Sequence, residues 1–129
     1  MRILVIEDDD VLRMVWRTSF QYAGHDVVDC ASCKSAGKWL KPSGFDLIVT
    51  DLMLGDGDVL TLLAQANLMS PPPPVIIITG TEHFPYGELF QFYPSLSWVL
   101  RKPTPVPDLL ALAEYAERRT GCNHDGMIP

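Results

Sequence analysis

A chain of 129 residues is long enough to bury a real core in one domain and too short for two. With 47% hydrophobic and 20% charged residues it is excluded from the disordered and collagen-like classes, and three cysteines, an odd number, favour a reducing compartment over a disulfide framework. A formal charge of −6 argues against binding of nucleic-acid backbone by this chain, which requires clustered Lys and Arg.

Ile3 to Ile6 is an all-apolar run that reads as a strand buried on both faces, and it discharges into Glu7, Asp8, Asp9 and Asp10. This amino end lacks the long apolar stretch of a signal peptide, and no later run approaches membrane-spanning length. A cytoplasmic protein without membrane contact is the expectation. Like charges brought together repel and raise one another's pKa, so a cluster of four acids needs a cation, a shared proton or a helix dipole. Asp9 and Asp10 are expected to cap the next helix, where negative charge is favourable, and Glu7 and Asp8 to belong to a site. An oxygen-only ligand set there favours magnesium or a similar hard cation over zinc.

The following helix carries Leu12, Val15, Trp16 and Ser19 on one stripe, with Asp9, Arg13 and Arg17 toward solvent, and Gly24 as a left-handed cap at its end. Val27-Val28 is a short strand at an edge. Cys30-Ala31-Ser32-Cys33 has redox or zinc spacing, but the third cysteine, Cys122, has no second pair beside it, so two reduced thiols are expected. Ser35 to Leu40 reads as a short helix with Ala36, Trp39 and Leu40 inward, broken by Pro42-Ser43-Gly44.

Phe45 to Asp51 is the stretch on which the chain turns: a nearly continuous apolar run ending on a carboxylate. In open α/β sheets, ligands gather in the crevice beyond the carboxyl ends of the strands. Gly55 and Gly57 free the loop after Asp51, and Asp58 is a fair N-cap for a helix with Val59, Leu62, Leu63, Ala66 and Leu68 or Met69 inward. Pro71 to Pro74 stop that helix and read as a stiff connector rather than a ligand for an aromatic groove. Val75 to Ile78 is the most apolar strand and ends on Thr79-Gly80. Trp98-Val99-Leu100 ends on Arg101-Lys102-Pro103. Pro107 and Asp108 open a last helix with Leu109, Leu112, Ala113 and Ala116 inward, and 120–129 is expected to be a frayed tail.

Five strand-helix repeats give an α/β fold with a five-stranded parallel sheet and right-handed crossovers. The ends of the first, third, fourth and fifth strands then bring Glu7 and Asp8, Asp51, Thr79 and Lys102 to one edge. As chemistry they form a kit for phosphoryl transfer. Asp51 is a carboxylate nucleophile, Asp8 with Asp51 can hold magnesium, Thr79 can hydrogen-bond a phosphoryl oxygen, and Lys102 can pair with either charge.

In these residues, their order and their spacing, the chain resembles the receiver domain of two-component response regulators, over residues 1–119. The resemblance implies the doubly wound, flavodoxin-like (βα)5 fold with strand order 2-1-3-4-5. It makes Glu7 and Asp8 the acidic pair, Asp51 the phosphoacceptor, and Met53 the residue whose backbone carbonyl ligates Mg2+. Thr79 becomes the switch hydroxyl and Lys102 the conserved-type lysine, its bond to Pro103 cis. The implied activity is acceptance of phosphate from a histidine kinase or histidine phosphotransfer protein. A binding module is implied rather than an enzyme, with output to a protein partner or a homodimer through the fourth helix, fifth strand and fifth helix. Three departures stand out: Gly55 where the family commonly has proline, Val59 where glycine is frequent, and Val99 where it has an aromatic ring. Trp98, one residue earlier, faces the other way and cannot substitute. Phe84, Tyr86, Phe90, Phe92, Tyr93 and Trp98 crowd a stretch whose only charge is Glu88. They are expected to divide between filling the core and forming an aromatic docking or dimer face. A degenerate receiver acting as a constitutive interaction domain is the alternative. An aspartyl-phosphate phosphohydrolase ranks below both, because Met53 stands where its second aspartate would be.

Overall fold

The computed structural model describes residues 1–40, 44–55, 57–80, 93 and 96–125. In chain order the elements are β1 (Arg2–Ile6), α1 (Asp10–Tyr22), β2 (Asp26–Cys30), α2 (Cys33–Gly37), β3 (Leu47–Asp51), β4 (Met53–Leu54), β5 (Gly57–Asp58), α3 (Val59–Ala66), β6 (Val75–Thr79), β7 (Leu96–Arg101) and α4 (Val106–Asp125). The central sheet has five parallel strands in the order β2-β1-β3-β6-β7. Since β6 and β7 are the fourth and fifth of the long strands, this is the expected order. β4 and β5 form a separate antiparallel pair in what the sequence reads as a loop, with Met53 opposite Asp58 and Leu54 opposite Gly57.

The apolar runs explain the sheet. Every residue of β3 and β6 is buried, as a strand covered by helices on both faces must be. Alternate residues feed two cores. Leu4, Ile6, Ile48 and Ile77 pack with α3 and Ala36 of α2, while Ile3, Val5, Val49 and Ile76 pack with Trp16 and Phe20 of α1 and with Leu109 and Ala113 of α4. At 25 cal/mol per Å2 of apolar surface, each such fully buried side chain is worth about 1.5–3 kcal/mol. β7 shows the alternation directly. Val99 packs into the first core and Trp98 into the second, beside Tyr115 at 5.8 Å between ring centroids, so the one-residue offset does put the two on opposite faces.

Helix punctuation follows the side chains. The Asp9 side chain accepts from the Leu12 N–H at 2.9 Å as the N-cap of α1, and Gly24 follows its end at φ +98°, where a side chain would be strained. Asp58 immediately precedes α3; its side chain lies outside the described residues. Val59, Leu62, Leu63, Ala66 and Met69 are buried as expected, and of the two candidates at the end of the stripe Leu68 is the exposed one. Pro73 is buried and its carbonyl accepts from the Tyr93 hydroxyl at 2.8 Å, which fixes the proline run as a connector. Tyr93 itself is wholly buried in the first core, the inward half of the expectation for the aromatic stretch. Phe84, Tyr86, Phe90 and Phe92, and with them the fourth predicted helix, lie outside the described residues, as do Pro42 and Ser43.

Four expectations need correction. Phe20, rather than Ser19, is the buried partner of Trp16 on α1, being one full turn on. Arg13 is not on the solvent face. It reaches back across the sheet edge to Asp29 of β2 at 3.2 Å, with Arg17 joining at 3.6 Å, because Asp29 offers a counter-charge that helical spacing alone does not reveal. Trp39 is nearly half exposed, since α2 ends at Gly37 and leaves no helical register to turn the ring inward. The last helix continues to Asp125 through residues expected as tail, because no proline interrupts its backbone bonds between Pro107 and Pro129.

Candidate active site at the carboxyl edge of the sheet

Register places the site. Ile6 pairs with Thr50, Asp51 with Ile78 and Thr79 with Arg101, so the residues at or just beyond these strand ends, Glu7, Asp51, Thr79 and Lys102, form one row. Glu7 is fully buried at the end of β1. Its N–H donates to the Cys30 carbonyl at 3.0 Å, its carbonyl accepts from Arg13 Nη1 at 2.8 Å, and its Oε2 accepts from the Asp9 N–H at 3.1 Å. Asp51 is 4% exposed; its Oδ1 accepts from the Met53 N–H at 3.0 Å. One ammonium spans the two acids. Lys102 Nζ donates to Glu7 Oε1 at 2.7 Å and to Asp51 Oδ2 at 2.8 Å, while the Lys102 N–H donates to the Thr79 carbonyl at 2.8 Å. Thr79 is fully buried, and the Lys102-Pro103 bond is cis, as the resemblance implies.

The electrostatics are those of a partly balanced cluster. Burial pushes the Glu7 carboxyl above its ordinary range and the negative Asp51 adds to this, while the hydrogen bond from Lys102 works against it. Burial alone would lower the Lys102 ammonium, but its hydrogen bonds to Asp51 and Glu7 outweigh that and hold it above its ordinary value. The site therefore keeps its cation throughout the physiological range.

Asp8 is exposed at the rim. A Cβ placed on Gly55 would stand 3.7 Å from its Oδ2, so the glycine brings loop backbone close to this carboxylate. One carboxylate oxygen from each of Glu7, Asp8 and Asp51 lies within 4.8 Å of the others, a spacing and donor type that fit a hard divalent cation. Met53 is the next residue but one after Asp51 and is exposed. Asp9 caps α1 as expected, Asp10 stands in its first turn and pairs with Arg13 at 2.6 Å, and Glu7 and Asp8 lie beside Asp51. Sequence reasoning missed Arg13 as the residue that ties the main chain of Glu7 to α1. Its spacing from Asp9 marks it as a helix-surface ion pair, and nothing local points to the Glu7 carbonyl.

The Cys30 thiol is buried and pushed up to about 11 by that burial, and neither Cys30 nor Cys33 is in a disulfide, in keeping with two reduced thiols. No helix among the described residues is long and apolar enough to cross a membrane.

Residues 3–114 match the family model described as the response regulator receiver domain. The transcriptional regulatory protein PhoP of Escherichia coli K12 is 34% identical over 82 residues, covering 64% of this chain and 37% of that protein. The DNA-binding transcriptional regulator NtrC of a Bradyrhizobium strain is 29% identical over 132 residues, 96% of this chain and 27% of its own length. The chain thus spans little more than a third of the first relative and little more than a quarter of the second. Among solved structures, a receiver domain protein (CheY-like) from Methanospirillum hungatei superposes with a TM-score of 0.80 at 22% identity, over 93% of this chain and 96% of that one, a likeness of fold. With the match extending from the first strand into the last helix and the acid row at its carboxyl edge, the chain belongs to the response regulator receiver domain family.

Proposed function

We propose that Asp51 is a phosphoacceptor. It takes a phosphoryl group from the phosphohistidine of a histidine kinase or histidine phosphotransfer protein and thereby switches a protein-binding face. The observation that carries this reading is the Lys102 ammonium held between Glu7 and Asp51 at 2.7 and 2.8 Å, a partly exposed cation beside a buried carboxylate. An Asp51 carboxylate oxygen attacks phosphorus, the N–P bond breaks, and the histidine ring leaves with the bonding pair. Glu7, Asp8, Asp51 and the Met53 carbonyl would hold Mg2+, which when bound neutralises charge on the phosphoryl oxygens. Lys102 exchanges its bond to Asp51 Oδ2 for one to a phosphoryl oxygen, and the Thr79 hydroxyl at the neighbouring strand end hydrogen-bonds another. Water later hydrolyses the acyl phosphate and resets the site.

The group adds charge and three acceptor oxygens where a carboxylate stood, enough to bias two packings of the surface beside β7 and α4. The output is a change of protein partner or of self-association. With net charge −6 the domain does not itself contact nucleic acid, and it works in the cytoplasm beside its phosphodonor. The constitutive alternative draws on Val99, which leaves the first core without a ring on β7. A phosphohydrolase would need an acid-base group where Met53 stands.

The test is exposure of the purified chain to acetyl phosphate, with and without Mg2+, followed by intact mass, with Asp51→Asn in parallel. Uptake of one phosphoryl group that requires both Mg2+ and Asp51 supports the switch. A folded chain that binds Mg2+ yet takes no phosphate overturns it in favour of the constitutive domain.

A further inference from the structure

Lys102 has three N–H donors, and its two carboxylate partners account for two of them. Over the indole of Trp16, Nζ stands 6.0 Å from the ring centroid. That ring comes from α1, is 2% exposed, and is wedged among Ile3, Val5 and Phe20 in the second core, so it has no freedom to swing away. The Lys102 side chain by contrast retains 27% of its exposure and would otherwise turn to water. An indole face carries negative quadrupolar charge and attracts a cation at this range, most strongly where water is excluded. An aliphatic residue would fill the volume without that attraction.

We propose that Trp16 is a positioning residue for Lys102: its fixed indole face holds the ammonium at the mouth of the site while the lysine exchanges carboxylate for phosphoryl partners. The inference rests on the phosphoacceptor reading of Asp51 for its consequence, though not for its geometry. During the exchange Lys102 loses one charged partner before it fully gains the next. The ring steadies the ammonium in that interval, when a carboxylate no longer holds it fully. It also shields one flank from water, so the lysine does not leave the site.

The experiment uses the full chain labelled with 13C at lysine Cε, together with Trp16→Phe and Trp16→Leu. In the wild type the ring current displaces the Lys102 ε-methylene resonance upfield of the other lysines. Trp16→Phe keeps part of that displacement and Trp16→Leu abolishes it. The initial rate of Mg2+-dependent phosphoryl uptake from acetyl phosphate falls roughly 3- to 10-fold in Trp16→Leu and about 2-fold in Trp16→Phe. A Lys102 resonance with no upfield displacement in the wild type, or uptake equal in all three folded proteins, overturns the role. Should Trp16→Leu not fold, Trp16→Phe decides alone, and a displacement and rate both unchanged from wild type overturn the inference. A wild type with the displaced resonance but no phosphoryl uptake overturns the phosphoacceptor reading and leaves the positioning geometry standing.

Discussion

Replacing Lys102 by methionine removes the ammonium and keeps an unbranched stem of similar volume. Two carboxylates, one fully buried and one 4% exposed, are then left facing the place where Nζ stood 2.7 and 2.8 Å from each. Breaking a buried pair by deleting one partner costs roughly 3–5 kcal/mol, and the 27% exposure of Lys102 lets water compensate in part, so the expected loss is about 3 kcal/mol near neutral pH. For a chain of this length that lowers Tm by roughly 10 °C.

The loss depends on pH with a definite sign. Glu7 already has its pKa raised by burial, with Lys102 opposing, so removing Lys102 raises it further. A carboxyl with a raised folded pKa holds its proton more tightly folded than unfolded, and stability falls as pH rises above the unfolded value. The raised Lys102 ammonium contributes its stabilisation fully below its unfolded value of 10.5, so in the wild type that contribution is constant across the acidic and neutral range. The gap between wild type and Lys102→Met is therefore widest near pH 8 and narrows toward about pH 5, as Glu7 takes up a proton in the variant. Urea melts at both pH values, without divalent cation, measure it. Gaps of equal size at the two pH values, or no loss near pH 8, would refute the idea that Lys102 neutralises a buried acid pair.

Magnesium should raise the Tm of the wild type and leave Asp8→Ala unmoved, while without the cation the two melt within about 0.5 kcal/mol of each other because Asp8 is exposed; at a hundredfold excess over Kd the wild-type gain is about 2.7 kcal/mol. Tyr93→Phe deletes the hydroxyl that donates to the Pro73 carbonyl at 2.8 Å and should cost about 1 kcal/mol in urea melts; an unchanged midpoint would show that the bond adds nothing. Cys30, buried with its thiol pushed up to about 11, should resist alkylation at neutral pH until the chain is unfolded, and rapid labelling of Cys30 in the folded chain by peptide mapping would contradict the burial.

The site was legible in the sequence because each of its residues ends or follows an apolar run. Ile3 to Ile6 and Val75 to Ile78 can only be buried strands, and parallel registration then brings Glu7, Asp51, Thr79 and Lys102 to a common edge whatever the helices do. Phe20 was legible too, since it lies four residues beyond Trp16, although the adjacent Ser19 falls near the same stripe. Arg13 and Trp39 were not legible in this way. The first answers to Asp29, sixteen residues away on strand β2, and the second to the point at which a five-residue helix stops. The antiparallel pair after Asp51 escaped because two-residue strands carry no period to read. The double hold of Lys102 was invisible for a further reason: sequence order says which strand ends are neighbours, but not that one flexible side chain serves two of them.

The ion pairs around Asp29 also bear on how the molecule behaves in a crowd. β2 lies at an open margin of the sheet, where unpaired backbone groups invite a strand from another chain. It carries Asp26 and Asp29 within five residues, the second clasped by Arg13 and Arg17 of the covering helix. A foreign strand adding there would meet carboxylates and a guanidinium lattice instead of an apolar ribbon. The contacts that steady α1 thus double as a guard against sheet extension and aggregation along that margin.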